Sequence, residues 1–228
     1  MMYVTVSRTS LVSMPVMLFV FALLHLNRRG IISVLITAAI LSGALWFVAP
    51  NLRVRTMAAI SEYHQYRDKN AASSVGLRLE FWRKSVEFFM TAPVVGHGTG
   101  STHKLFAQAA IGQSGASAEI ISNTHNQTLN VAVQWGTVGV IILYAMWVSH
   151  FLLFRGSGFY AWLGMLVVVQ NVVSSLFNSH LFDFHEGWMY VLGVGVAGGM
   201  VLRGVPLGAA GSASPEWTPK SKDLDISL

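Results

Sequence analysis

Apolar residues fall in long uninterrupted runs along this chain, and polar residues gather between them. Residues 9–26 and 31–49 carry no charge, and each is about long enough to cross a bilayer as a helix. The turn Asn27-Arg28-Arg29-Gly30 joins them, and Pro50 with Asn51 closes the second run. A helical hairpin over 1–50 is therefore expected. Three further apolar runs follow at 129–154, 159–182 and 187–202. Short turns separate them, one built on Arg155 to Gly158 and one holding Asp183, His185 and Glu186. The pattern predicts an all-α, multi-pass transmembrane bundle, with three helices in 129–202 and a disordered tail over 203–228.

The interval 51–128 breaks this rhythm. It is expected to be one large loop containing amphipathic helices. Leu77, Phe81, Phe88 and Phe89 recur at helical spacing, with Arg78, Glu80, Arg83, Lys84 and Glu87 placed elsewhere on the turn. That pattern suits a helix lying in a membrane interface, closed by Pro93. Residues 70–76 look like a flexible break, and 108–122, small and polar, like a mobile segment or lid.

Composition sharpens the membrane reading. Of 228 residues, 53% are hydrophobic and 11% charged, with a mean hydropathy of +0.53. Soluble domains carry roughly a quarter charged residues. The net charge is +5, but the basic residues are scattered, so no nucleic-acid partner is indicated. Cysteine is absent, which excludes disulfides, thiolate metal sites and a cysteine nucleophile.

Charge sets the orientation. With five alternating helices, Arg28, Arg29, Arg155, Arg203, Lys220 and Lys222 share one side, and the positive-inside rule makes it cytoplasmic. The loop 51–128 is then extracytoplasmic; loops longer than about 60 residues translocate largely regardless of charge. His64, His97, His103, His125, His180 and His185 face outward with it. The N-terminus is also placed outside, so the chain reads as the second half of a longer multi-pass protein, its upstream half a possible partner.

Several residues carry candidate chemistry. His125 and Asn126 immediately precede the third crossing, which Asn123 or Thr124 could cap. A helix N-terminus there offers free N–H groups to a phosphate, and a neutral histidine beside it could act as a general base. The same histidine could simply hydrogen-bond the loop. Arg78 could grip a lipid phosphate with its planar fork, or serve with Arg83 and Lys84 as general attraction to anionic headgroups. Gly96-His97-Gly98-Thr99-Gly100 lacks the Lys-Ser/Thr pair of a P-loop, and is read first as a tight turn. Asp183, His185 and Glu186 form a single cluster with no second ligand set, read as a solvated helix end, with Asp183 or Glu186 orienting His125 as the alternative; no metal and no cofactor is expected. Trp135 and Tyr190 suit an aromatic belt. The absence of Asp, Glu, Lys and Arg inside the apolar runs disfavours a transporter.

Taken in order, these features resemble the O-antigen ligase / O-antigen polymerase family of bacterial inner-membrane glycosyltransferases. The likeness rests on Ser7-Arg8-Thr9 opening a helix, then Arg78, Trp82, Pro93 and Gly96-x-Gly98-x-Gly100. His125-Asn126 with Leu129, and Gly136 and Gly139 in QWGTVGV, complete it. The resemblance implies a periplasmic catalytic loop and a glycan donor on undecaprenyl pyrophosphate. The acceptor would be a glycan or lipid A–core, with membrane lipid around the site. It implies His125, Arg78 and Arg8 as catalytic residues. Asn126, Gly96, Gly98, Gly100, Arg83, Lys84 and Asp183 would bind substrate. The alternative is a non-catalytic or split-enzyme membrane subunit of a polysaccharide assembly system.

Overall fold

The computed structural model describes the backbone of residues 8–204, and the side chains from Met14 onward with few exceptions. Eight α-helices follow in order: α1 Arg8–His25, α2 Arg28–Val48, α3 Pro50–Lys69, α4 Ser74–Thr91, α5 Ser101–Ala110, α6 Gln127–Leu153, α7 Phe159–Ser174 and α8 Phe184–Arg203. Short 3-10 turns lie at Gly115–Ala118 and His180–Phe182. All regular structure among the described residues is helical. Two helices, α2 and α6, are long and apolar enough to cross a membrane. The tail expected over 203–228 falls outside the described residues from position 205 onward.

Side-chain size explains how the apolar helices pack. Helices α1, α6, α7 and α8 share a core that includes Trp147, Phe154, Met165, Val168, Tyr190 and Ala197. In lipid, packing and small interfacial residues drive helix association rather than expulsion of water. Here the fully buried Phe154 ring lies over Gly164, where an added Cβ would come within 2.2 Å of it. Tyr190 is 4% exposed and its hydroxyl meets His150 Nδ1 at 2.7 Å. It is therefore a core residue rather than the belt residue its position suggests. By contrast Ile32, Leu35, Ile36, Ile40 and Phe47 of α2 are all exposed, as expected of a helix sheathed by lipid.

The polar interval is more ordered than its composition suggests. It holds the helices α3, α4 and α5. The break after α3 is a built corner: Asn70 takes a left-handed φ of 51°, and its side-chain amide reaches Ser114 O and Ser117 Oγ. Ala116 N–H donates to Asn70 O. The segment expected to be a lid is thereby pinned to the end of α3. It is pinned again by Lys84, which donates to Ser117 O, and by Glu80, which accepts from Ser117 Oγ.

Helix α4 buries a mixed face, not the purely apolar one its pattern predicts. Glu80, Phe81, Lys84 and Ser85 are buried, whereas Val86 and Met90 are exposed. Glu80 accepts from Tyr66, Ser117 and Arg83. The Arg83 bond, helped by Tyr66 and Ser117, holds the Glu80 carboxyl down at about 2 despite burial. Burial pushes the Lys84 ammonium down, opposed by Glu80.

Helix α6 is bent back on itself. Gly136 takes φ 61° and ψ −156°, a region essentially reserved for glycine. The hydroxyls of Thr128 and Tyr144 come within 3.3 Å. In a straight helix sixteen residues would span about 24 Å. The third apolar run is thus two arms meeting at Gly136, not the single straight crossing its hydropathy predicts.

Candidate functional site

The glycine turn after α4 is what makes the bend in α6 possible. A helix broken at Gly136 loses the bonds from Thr137 N–H to Val133 O and from Val138 N–H to Gln134 O. The turn supplies replacements. His97 and Gly98 N–H donate to Val133 O and Gln134 O, and Thr137 and Val138 N–H donate to Pro93 O and Val94 O. Gly96 and Gly136 allow this approach. A Cβ on Gly96 would stand 2.5 Å from the Gln134 carbonyl carbon and Trp135 nitrogen, and one on Gly136 2.4 Å from the Val94 carbonyl. Gly100 N–H donates to Gln134 Oε1, and Gly96 N–H to Ala92 O. The N–H groups of Gly96, Gly98 and Gly100, expected at a substrate, are therefore all engaged inside the protein. These glycines shape the chain.

His125 sits at a second corner, just before α6. Its own φ is 53°, a left-handed conformation uncommon outside glycine, which histidine, asparagine and aspartate adopt more readily than other residues. An Asx turn holds it there, with His125 N–H donating to Asn123 Oδ1 at 2.9 Å. The helix cap is Asn126, not Asn123 or Thr124: its Oδ1 accepts from Leu129 N–H at 3.0 Å. Its amide nitrogen donates to Leu176 O, so both ends of the side chain are occupied and Asn126 builds the corner. Gln127 N–H, the first free amide of α6, donates to Ser175 O. The phosphate seat that the sequence suggests at this helix start is thus largely filled by protein.

Four hydrogen bonds lace this corner to residues 175–181. Two are those from Gln127 and Asn126. The third joins Leu181 N–H to Gln127 Oε1 at 3.0 Å. The fourth joins His125 Nδ1 to Asn178 Oδ1 at 3.0 Å. Behind it, Asn178 Nδ2 donates to Asp183 Oδ2, also at 3.0 Å. Asp183, expected at a substrate, therefore stands behind Asn178. Asn178 escapes a sequence reading because it lies in an apolar run taken as one crossing. The signal was the polar string Asn178-Ser179-His180, where α7 has already ended at Ser174.

His125 Nε2 has no partner among the described residues. The His125 ring stacks on Phe81 of α4, centroids 6.1 Å apart. Arg78 lies one helical turn before Phe81, on the same side of α4. It is half-buried, and no hydrogen bond or ion pair among the described residues reaches its guanidinium. Arg83 and Lys84, expected as companions at the substrate, are engaged internally: Arg83 with Glu80 and Glu87, Lys84 with Ser117 O and Glu80. Arg8 opens α1, but its side chain lies outside the described residues. Donor atoms of His180, Asp183 and Glu186 lie within 4.8 Å of one another, so His180 rather than His185 joins the carboxylates. A cavity of about 540 Å³ opens in the crook of α6, between Gln127 and Met146, and Leu181 and Phe182 close one side. Its lining is almost wholly apolar.

Fold and site together describe a helical protein with two helices apolar and long enough to cross a membrane, and a polar corner at His125 beside an apolar cavity. The sequence matches the O-antigen ligase family over residues 1–144, well over half of the chain, and the protein belongs to that family. The family comprises membrane proteins of glycosyltransferase-like ligase type in polysaccharide biosynthesis. Arg8, Arg78, the glycine turn, His125 and Gly136 lie inside the matched region; Asn178 and Asp183 lie beyond it. No curated protein matches the chain.

Proposed function

We propose that the chain transfers a glycan from undecaprenyl pyrophosphate to an acceptor hydroxyl at the periplasmic face of the bacterial inner membrane. The observation that carries this reading is the open ring nitrogen of His125, whose imidazole stacks on Phe81 of α4. His125 Nε2 has no protein partner among the described residues, and neither has Arg78, one helical turn before Phe81 on α4. Every other cation on α4 is neutralised internally.

In this reading His125 Nε2 takes the proton of the acceptor hydroxyl. The oxygen attacks the anomeric carbon, and the bond from that carbon to the pyrophosphate oxygen breaks, inverting the configuration. The electron pair leaves with undecaprenyl pyrophosphate. Arg78 offsets the growing charge with a bidentate grip, and Arg8 adds a second cation by family resemblance. The apolar cavity in the crook of α6 suits part of the polyprenyl chain. The pyrophosphate is already a good leaving group, so the reading requires no metal. In this reading the α3–α5 region and the His125 corner face the periplasm, and the basic turns at Arg28, Arg29 and Arg155 face the cytoplasm.

The test is His125→Asn, since asparagine tolerates the left-handed backbone but cannot serve as the base. Transfer from a polyprenyl-pyrophosphate-linked glycan is measured in membranes holding equal amounts of each protein. A fall of about 10²- to 10⁴-fold is expected. Wild-type transfer by this variant would overturn the assignment.

A further inference from the structure

We infer that Asn178 is a positioning residue that fixes the tautomer of His125, and that Asp183 fixes Asn178 in turn. The inference rests on the proposed role of His125 and adds two residues outside the family match.

The argument follows from donors and acceptors. A carboxylate can only accept hydrogen bonds, so the Asn178 group facing Asp183 Oδ2 at 3.0 Å must be its NH₂. The amide carbonyl is then turned toward His125 Nδ1, at 3.0 Å. A carbonyl oxygen cannot donate, so Nδ1 must carry the proton. In the neutral ring that leaves the lone pair on Nε2, the nitrogen without a protein partner among the described residues. Only this tautomer can take a proton from an acceptor hydroxyl at the open face. Were the amide free to rotate, its NH₂ could face Nδ1 and stabilise the opposite, unproductive tautomer. Backbone contacts hold the relay in place. Asn178 N–H donates to Ser174 O at the end of α7, and Asp183 precedes α8. The direction of one amide is therefore set by the junction of two helices and read out at His125.

Two measurements test this. In the full chain labelled with ¹⁵N-histidine in detergent, the His125 signals are assigned by difference against His125→Asn. Wild type is expected to show protonated Nδ1 and unprotonated Nε2. Asn178→Ala is expected to shift His125 toward the other tautomer while histidines away from this cluster, such as His97 and His150, keep their signals. Asp183→Asn, which keeps an acceptor but lets both amides turn together, is expected to give a mixture. An unchanged His125 signature in both variants would overturn the inference.

The second measurement is transfer from a polyprenyl-pyrophosphate-linked glycan. Asn178→Ala is expected to lower it about tenfold to a hundredfold, and to add nothing in a His125→Asn background, because the two residues act as one unit. A further tenfold loss in that background would show a merely structural role and overturn the inference. The two readings fail separately. Full transfer by His125→Asn removes the catalytic reading and leaves the tautomer measurement standing. An inactive His125→Asn beside an unaltered Asn178→Ala, in both signal and rate, removes this inference alone.

Discussion

The glycine turn at 93–100 and the corner at His125 both brace α6 and belong to one sequence signature, yet they differ in what they leave over. At the turn, the backbone donors of Gly96, His97, Gly98 and Gly100 are all engaged within the protein. The same holds for the charges behind it on α4, where Glu80, Arg83 and Lys84 answer one another. At the corner, backbone and caps are equally well satisfied, but among the described residues one imidazole nitrogen of His125 is not, nor is the guanidinium of Arg78 on α4. Motif residues of the first kind build a shape; those of the second kind are the ones the proposed transfer would use. A spacing rule in sequence treats both alike.

Gly136→Ala attacks the shaping side and carries the largest expected effect. The new methyl would stand 2.4 Å from Val94 backbone and 2.7 Å from Gly96 nitrogen, at a φ and ψ that only glycine adopts comfortably. Clash and strain together are expected to exceed about 4 kcal/mol, removing folded protein altogether. Gly98→Ala is the matched control. Nothing lies within 4 Å of its Cβ, so only the φ of 93° is strained, at about 1 kcal/mol. Thermal melting in detergent separates the two. Equal losses would mean that the turn is not wedged into the bend of α6.

Glu80→Gln tests whether the charges behind the turn work as a closed unit. Removing the carboxylate leaves Lys84 buried without its counter-charge, at a cost of about 3 kcal/mol. The pH dependence has a definite sign. The Glu80 carboxyl titrates at about 2 in the folded protein, below its ordinary 4.5. Its contribution is therefore complete above about pH 4.5 and is lost as pH falls toward 2. The gap in melting temperature between wild type and Glu80→Gln should be wide at pH 7 and narrow at pH 3. A gap that does not change with pH would assign the loss to packing.

Sequence reasoning reached different depths in the two regions for a physical reason. Hydropathy is a local property, so the apolar helices and the polar interval were legible residue by residue. His125 and Arg78 were singled out by the family resemblance, since position alone left plainer roles open for both. The bend at Gly136 was hidden, because a composition window counts Gly136 and Gly139 as part of one apolar run. The ordered break at Asn70 was missed for a related reason. Its partners, Ser114 and Ser117, lie more than forty residues away, and small polar residues look mobile until such partners are known. Asn178 was least accessible, because its role depends on a side-chain hydrogen bond across fifty-three positions.

The finest test compares two arginines on one helix. Arg78→Lys keeps the charge but loses the planar fork, so a bidentate grip on a phosphate becomes a single point contact. Transfer is expected to fall about tenfold, roughly 1.4 kcal/mol in the barrier, with the melting temperature unchanged because no internal partner is lost. Arg83→Lys should behave oppositely. Its fork bonds Glu80 through Nε and Nη2 and Glu87 through Nη1, three contacts that one ammonium cannot reproduce. Half of the Arg83 side chain is exposed, so the loss in stability should stay near 1 kcal/mol. Transfer per folded molecule should be unaltered. If Arg83→Lys lowered transfer as much as Arg78→Lys at equal folded protein, the division between internally engaged and unpaired cations on α4 would fail. The site would then have to extend along the whole helix rather than end at the turn beside Phe81.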